Sequence, residues 1–210
     1  MDVSTKLAEK LLAVKAVKLQ PEQPFTWASG WCSPFYCDNR KTLSFPALRS
    51  FICQGLCDIV RERYIDDVQS IAGVATGAIA QGALVADRLE LPFCYVRSAA
   101  KDHGLHNQIE GHVAKGARVV VVEDLISTGG SSLKAVQALR DYGCEVLGMV
   151  AIFTYGFDVA KQAFADAQVP LATLTDYNAV VEAALATGYI SADQVPLLKT
   201  WRENPAEWGK

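Results

Sequence analysis

Hydrophobic residues recur along the chain with two different periods, and the change from one to the other predicts alternating strands and helices. Short apolar runs rich in β-branched residues predict strands at residues 70–74, 92–96, 117–122 and 146–153. Stretches with helical spacing predict helices at residues 78–89, 131–142 and 158–167. Several of the strand runs are apolar on both sides of the pleat, as buried strands of a parallel sheet are. The alternation therefore predicts an α/β fold with a central, mostly parallel sheet flanked by helices.

Helices are also predicted on either side of this alternating region. A first helix runs to about residue 17, and the apolar residues on one of its faces are Leu7, Leu11 and Val14. A second helix follows Pro46, and its apolar stripe consists of Leu48, Phe51, Ile52, Leu56, Ile59 and Val60. A capping-box pattern at residues 191–194 opens a last helix.

Composition indicates an ordinary globular protein and excludes several classes of function. The chain has 210 residues, of which 50% are hydrophobic, and its formal net charge is -3. This length suits one domain, so we expect residues 1–210 to form a single domain. The net negative charge argues against nucleic acid or an anionic membrane as a partner. An anionic ligand therefore has to be bound by a local arrangement of residues.

Neither a secretory signal nor a membrane span is predicted. The N-terminal residues lack an apolar run before a cleavage site. The longest uncharged stretch, residues 68–86, is interrupted by glycines and polar residues, so a strand, a loop and a helix are expected there. The six cysteines lack the spacing of a zinc site, and Cys53 and Cys57 are interpreted as packing residues rather than metal ligands. We therefore expect a cytoplasmic protein with reduced thiols.

The strongest candidate for chemistry is the segment 119–132. Four valines run into Glu123 and Asp124, a turn rich in Ser, Thr and Gly follows, and then the predicted helix begins. Such a turn suits a phosphate, because glycine lets the backbone approach and free N–H groups at a helix start point at the anion. The carboxylates would repel a phosphate, so we expect them to accept hydrogen bonds from sugar hydroxyls or to help place a divalent cation. An ordinary helix-capping turn with exposed acids is the alternative.

This segment resembles the phosphoribosyl-pyrophosphate signature of the type I phosphoribosyltransferases. The resemblance implies that Glu123 and Asp124 bind the ribose 2- and 3-hydroxyls, and that Asp124 contacts Mg²⁺ indirectly, through substrate or water. The residues implied around the 5-phosphate are Leu125, Ile126, Ser127, Thr128, Gly129, Gly130 and Ser131. Two further segments, residues 95–104 and 25–40, are similar to the mobile catalytic loop and the N-terminal substrate-binding segment of orotate phosphoribosyltransferases.

The segment after the second predicted strand is interpreted as a flexible lid. It contains His103, His106 and His112, with Arg97 and Lys101 just upstream. Its glycines favour a lid over a metal site, and a solvated loop without a role is the alternative. The resemblance implies that Lys101 and His103 cover the pyrophosphate of the neighbouring subunit's site, and that Arg97 and Mg²⁺ stabilise this leaving group. The predicted catalytic residues are Lys101, His103, Arg97 and Asp124.

A second turn, residues 73–77, follows the first predicted strand of the sheet. Its backbone N–H groups can form an anion-binding nest, so Ala75, Thr76 and Gly77 are predicted to bind the pyrophosphate. A plain strand-to-helix turn is the alternative.

The base is expected on the side of the N-terminal segment, where the resemblance implies a small hood formed by about residues 1–45. The residues predicted to bind orotate are Tyr36, Arg40, Ser29, Thr128 and Tyr155. Tyr36 would pack on the pyrimidine face, and Arg40 would supply positive charge for the base carboxylate. The family often has basic residues at the positions of Ala28, Cys32 and Ser98, and an arginine within residues 154–157, all of which this chain lacks.

The activity implied by the resemblance is transfer of a phosphoribosyl group to orotate, which gives orotidine 5-monophosphate and pyrophosphate. The implied enzyme requires Mg²⁺ and is a homodimer in which residues 97–112 act across the interface. Two alternatives stay open. One is a phosphoribosyltransferase for a purine or another base, and the other is a non-catalytic regulator that binds the same sugar phosphate as a signal.

Overall fold

The structure is a computed structural model that describes residues 2–26, 32–98, 108–205 and 207–208. Its strands are β1 (Val17–Leu19), β2 (Phe25–Thr26), β3 (Cys32–Ser33), β4 (Phe35–Cys37), β5 (Ser70–Val74), β6 (Phe93–Val96), β7 (Ile109–Gly111), β8 (Arg118–Ile126), β9 (Glu145–Thr154) and β10 (Leu171–Asp176). Its α-helices are α1 (Val3–Ala13), α2 (Pro46–Tyr64), α3 (Ile79–Leu89), α4 (Gly130–Tyr142), α5 (Asp158–Asp166), α6 (Tyr177–Ala186) and α7 (Val195–Glu203). Short 3-10 segments precede α2 and α7, at Asn39–Ser44 and Ala192–Gln194.

A sheet in the order β10-β9-β8-β5-β6-β7 forms the centre of the molecule. All neighbouring strands pair in parallel except β7, which pairs antiparallel with β6 at one edge. Alternate valines of β8 belong to two different apolar clusters: Val120 packs with residues of α2 and α3, and Val121 with residues of α4 and α5. The predicted mostly parallel sheet flanked by helices is therefore confirmed.

Strand β8 continues past its predicted end at residue 122 and reaches Ile126. Its last residues pair with β9, so that Glu123 lies opposite Ala151 and Leu125 lies opposite Phe153. The Ser/Thr/Gly turn therefore begins only after Ile126. Because successive residues of a strand point to opposite faces of a sheet, Glu123 and Asp124 have different surroundings.

The N-terminal region consists of one core helix and two small antiparallel ladders. Helix α1 lies against α6 and β10, and it ends at Ala13, earlier than predicted, because Val17–Leu19 pairs with β4. The second ladder joins β2 to β3. Phe35 of β4 is fully buried in an aromatic cluster, where it contacts the rings of Phe153, Tyr155, Tyr177 and Trp201. The packing of these rings joins the β1–β4 ladder to the central sheet and to the C-terminal helix α7.

The C-terminal capping box is confirmed, since Ser191 and Gln194 exchange both of its hydrogen bonds ahead of α7. The uncharged stretch at residues 68–86 contains β5, a turn and most of α3, as predicted. Among the described helices, none is both long enough and apolar enough to span a membrane.

Candidate active site

A cleft opens beyond the carboxyl ends of β5 and β8, two neighbouring strands of the sheet. Its volume is about 450 Å³. Its lining residues are Cys37, Asp38, Arg40, Val74, Ala75, Thr76, Gly77, Glu123, Asp124, Leu125, Ser127, Thr128, Gly129 and Ser131. Ligands of open α/β sheets bind at this edge. The cleft thus brings together three separately predicted segments: the turn after β5, the end of β8 and the region around Arg40.

Glu123 lines the cleft but is only 4% exposed. Its two carboxyl oxygens accept hydrogen bonds from the backbone N–H of Asp124, at 2.9 Å, and from Ser132 Oγ, at 2.8 Å. Burial, together with the neighbouring Asp124 carboxyl, raises the pKa of Glu123 from 4.5 to about 8. Its internal hydrogen bonds tie the end of β8 to the first turn of α4, which gives Glu123 a supporting role, and its contact with a ribose hydroxyl stays a prediction.

Asp124 presents its carboxylate to the cleft, against the turn that follows β5. A Cβ atom added at Gly77 would collide with this carboxylate, so only glycine fits at that position. The backbone of Asp124 is fixed from the other side, because Asn39 Nδ2 donates a hydrogen bond of 2.6 Å to its carbonyl oxygen. Asp124 is therefore a fixed hydrogen-bond acceptor at the centre of the cleft.

The turn at residues 127–131 leads from β8 into α4 and has the features of a phosphate site. Gly129 has a φ of 84°, and a Cβ there would lie 2.9 Å from the Phe164 ring, so glycine is required. Among the described residues no side chain caps the first turn of α4, whose N-cap residue is Gly129, and this leaves its N–H groups available to an anion. The hydroxyl-bearing residues Ser127, Thr128 and Ser131 line the cleft beside them. Ile126, by contrast, is fully buried in the core, so it contributes no side chain to the predicted phosphate site.

A second cavity of about 280 Å³ adjoins the cleft on the side of β6. It shares Val74, Ala75 and Ser131 with the cleft, and it also contains Arg97, Ser98, Gln108, Gly130 and Lys134. Arg97 forms an ion pair of 3.6 Å with Glu110. Lys134 was not singled out from the sequence, although its place one turn into the helix after Gly130 is a signal that could have identified it.

The base side of the cleft agrees less well with the predictions. Arg40 lines the cleft, but its guanidinium binds both carboxylate oxygens of Asp38, at 2.7 and 3.1 Å. Tyr36 is half-buried and packs on Phe25, with ring centroids 5.5 Å apart. Tyr155 is 2% exposed and lies within the aromatic cluster, not in the cleft wall, so the structure offers no support for a contact between its side chain and a base.

Several predicted residues lie outside the described part of the chain. They are Ala28, Ser29, Lys101, His103 and His106. Of the histidines, only His112 is described, and it is exposed. The described residues contain no group of three or more His, Cys, Asp or Glu side chains that could hold a metal ion.

Comparison with known proteins identifies the class of this cleft. Residues 52–185 match the family model of the phosphoribosyl transferase domain, so the chain belongs to the phosphoribosyltransferase family. It is 67% identical to the orotate phosphoribosyltransferase of Bacteroides fragilis, over 96% of this chain and 94% of that protein. It is 55% identical to the orotate phosphoribosyltransferase of Bacillus caldolyticus, over 97% of this chain and 98% of that protein.

A solved structure agrees with these relatives. The orotate phosphoribosyltransferase from Aeropyrum pernix is 31% identical, with a TM-score of 0.76 over 88% of this chain and 99% of that one. The resemblance to orotate phosphoribosyltransferases, first indicated by the sequence motifs, is thereby confirmed.

The raised pKa of Glu123 makes stability depend on pH. Between about pH 4.5 and 8 the unfolded chain loses this proton while the folded chain keeps it, so the free energy of unfolding falls as the pH rises through that window. We expect Glu123→Gln, which cannot ionise, to be more stable than the wild type at pH 8, with little difference at pH 4. Chemical unfolding across this range measures the effect. The exposed Glu145→Gln variant is the control, and parallel curves for Glu123→Gln and wild type would contradict the prediction.

Proposed function

We propose that the chain joins orotate to the phosphoribosyl group of phosphoribosyl pyrophosphate, releasing pyrophosphate and forming orotidine 5-monophosphate. A bond from N1 of orotate replaces the bond between the anomeric carbon and the pyrophosphate, which leaves with the bonding electron pair, and N1 loses its proton. The proposal is supported chiefly by the convergence of Asp124, the 127–131 turn and the 75–77 turn on one cleft. The second support is the identity of 67% to a relative named orotate phosphoribosyltransferase.

Each part of the substrate has a counterpart in the cleft. The carboxylate of Asp124 accepts hydrogen bonds from the ribose hydroxyls. An ionised carboxylate can only accept hydrogen bonds, so it pairs well with hydroxyl groups, which can donate them. The N–H groups and hydroxyls of residues 127–131 bind the 5-phosphate. This contact lies away from the reacting carbon, so its binding energy serves to position that carbon against the base.

The leaving pyrophosphate lies between the 75–77 turn and the adjoining cavity. The backbone N–H groups of Thr76 and Gly77 face it, whereas that of Ala75 donates to the carbonyl oxygen of Val96 at 2.8 Å, and Arg97 supplies positive charge. Negative charge accumulates on this group as the bond breaks, so fixed positive groups lower the barrier. The roles of Lys101 and His103 as a cover over the pyrophosphate rest on the resemblance of residues 95–104 alone.

Magnesium fits the donor groups of the cleft as a partner of the substrate. Asp38 is paired with Arg40 and Glu123 holds internal hydrogen bonds, which leaves Asp124 as the carboxylate open to the cleft. Mg²⁺ is commonly held by one or two carboxylates together with substrate phosphates. Asp124 would contact it through substrate or water, and when bound it neutralises charge on the pyrophosphate.

A direct assay tests the reaction. With phosphoribosyl pyrophosphate and Mg²⁺, the wild-type protein is expected to consume orotate, measured as loss of orotate absorbance, and to release pyrophosphate. Adenine, guanine and uracil serve as control acceptors. Turnover of a purine in preference to orotate, or binding of phosphoribosyl pyrophosphate without turnover of any base, would contradict the proposal.

The proposal includes a cytoplasmic homodimer with a shared active site. Residues 97–108 connect β6 to the edge strand β7, and Ser98 and Gln108, the described residues on either side of residues 99–107, line the cavity beside the cleft. If Lys101 acts in the partner's site, a dimer of one Lys101→Ala and one Asp124→Asn subunit has one intact site. Mixing the two weakly active variants should then restore roughly a quarter of wild-type activity, by random pairing.

The control for this experiment is each variant mixed with itself, and co-purification of differently tagged copies of the two variants confirms that mixed dimers form. Mixed dimers without any recovery of activity would contradict the shared site while leaving the reaction itself untouched.

A further inference from the structure

We propose that Arg202 of α7 binds the carboxylate of the base and so selects orotate over pyrimidines that lack this group. The inference rests on the proposed function, because it takes orotate to be the acceptor. It concerns a residue that sequence analysis did not connect with the cleft, and that lies far along the chain from the residues predicted to bind the base.

Arg202 lines a cavity of about 320 Å³ next to the cleft. Thr128 lines both spaces and stands between them. The other residues around this cavity are Gly156, Phe157, Asp158, Val159, Glu203 and Pro205. A base bound next to the sugar can therefore extend a substituent past Thr128 into this cavity.

The guanidinium of Arg202 is held in place by two backbone carbonyls at the end of β9. Nε donates to the carbonyl oxygen of Tyr155 at 3.0 Å, and Nη2 donates to that of Gly156 at 2.9 Å. These contacts use one edge of the planar group. The remaining edge, formed by Nη1 and the second N–H of Nη2, has no hydrogen-bond partner among the described residues, and this edge can bind a carboxylate in a bidentate manner.

The charge of Arg202 is also less compensated than that of Arg40, the residue predicted from the sequence for this contact. Arg40 is bound on two nitrogens by the carboxylate of Asp38, and its side chain is 63% exposed. Arg202 is bound by neutral carbonyls and lies over the ring of Tyr177, with the guanidinium carbon 5.9 Å from the ring centroid. It therefore keeps a positive charge for an incoming anion.

Two carboxylates share the cavity with Arg202, and neither compensates its charge closely. Asp158 is paired with Lys161 Nζ at 2.7 Å, and its side chain is 92% exposed. Glu203 is exposed as well, so water and salt screen its charge. No ion pair within 4.0 Å joins Arg202 to a carboxylate among the described residues.

The position of Arg202 also accounts for a gap in the sequence pattern. Residues 154–157 lack the arginine that the family resemblance led us to expect there. The guanidinium of Arg202 lies directly on the backbone of Tyr155 and Gly156, so α7 brings a positive charge to the same end of β9 from a distant part of the sequence.

The test compares orotate with its neutral carboxamide in Arg202→Gln and Arg202→Lys variants. We expect Arg202→Gln to raise the KM for orotate about 10- to 100-fold, the usual range for a lost charge-assisted pair. The KM for phosphoribosyl pyrophosphate and the inhibition constant of the carboxamide should change less than about twofold. Arg202→Lys, which keeps the charge without the planar edge, should give an intermediate KM for orotate.

Arg140→Gln is the matched control. Arg140 also clamps two backbone carbonyls, those of Ala167 and Gln168, at 2.8 and 3.3 Å, but it lines neither cavity of the base side. It should lose a comparable amount of thermal stability without a change in the KM for orotate.

Three results would overturn the inference: an unchanged KM for orotate in Arg202→Gln, an equal weakening of orotate and carboxamide, or the same change in Arg140→Gln.

If the Arg202 variants fail to fold, the wild-type crystal with orotate decides the question. The carboxylate is expected within hydrogen-bond distance of Arg202, and a carboxylate bound elsewhere refutes the inference. Orotate consumption by the wild type tests the proposed function separately, so the two failures are distinguishable.

Discussion

The site depends on where β8 ends. The strand continues to Ile126 and both of its adjacent acids line the cleft, but Glu123 is 4% exposed and its carboxyl group is held by internal hydrogen bonds, whereas Asp124 is less buried. The hydrogen bond from Ser132 to Glu123 then ties β8 to α4, which fixes the turn between them. One buried carboxyl group thus positions both Asp124, the proposed acceptor for the sugar, and the N–H groups proposed to bind the phosphate.

Much of this architecture could be predicted from the sequence, since it is encoded in local patterns. Hydrophobic periodicity identified β5, β6, β8, β9 and the helices between them, and the motif at residues 119–132 located the cleft. The end of β8 was missed because Glu123 and Asp124 look like turn residues. They stay in the sheet only because this end of β8 pairs with β9, a strand that follows α4 in the sequence.

Other features could not be predicted because they depend on contacts that are distant in sequence. The prediction that Tyr155 contacts the base followed from its position after β9. The structure buries its ring between Phe35, Phe157 and Trp201, three residues from different parts of the chain. The carbonyl contacts of Arg202 have the same origin, since the docking of α7 against this aromatic cluster brings the guanidinium to β9.

An acidic chain that binds an anionic substrate needs local positive charge, and the cleft shows how it is arranged. The net charge is -3, so the molecule as a whole does not attract phosphates. The backbone N–H groups at the start of α4 and at Thr76 and Gly77 can attract an anion although they carry no net charge. Among the described residues, Arg40 lines the cleft itself but is paired with Asp38, while Arg97 and Lys134 line the adjoining cavity on the β6 side and Arg202 lines the cavity beyond Thr128.

The most direct test of this account is a calorimetric titration of phosphoribosyl pyrophosphate, with Mg²⁺, into Asp124→Asn and Glu123→Gln. The two substitutions are chemically alike and lie at neighbouring positions. If the acids divide their roles as described, Asp124→Asn weakens binding at least about tenfold, as the loss of a charged hydrogen-bond acceptor does, whereas Glu123→Gln binds within a few-fold of the wild type. Equal losses in both variants, or a larger loss in Glu123→Gln, would contradict the account.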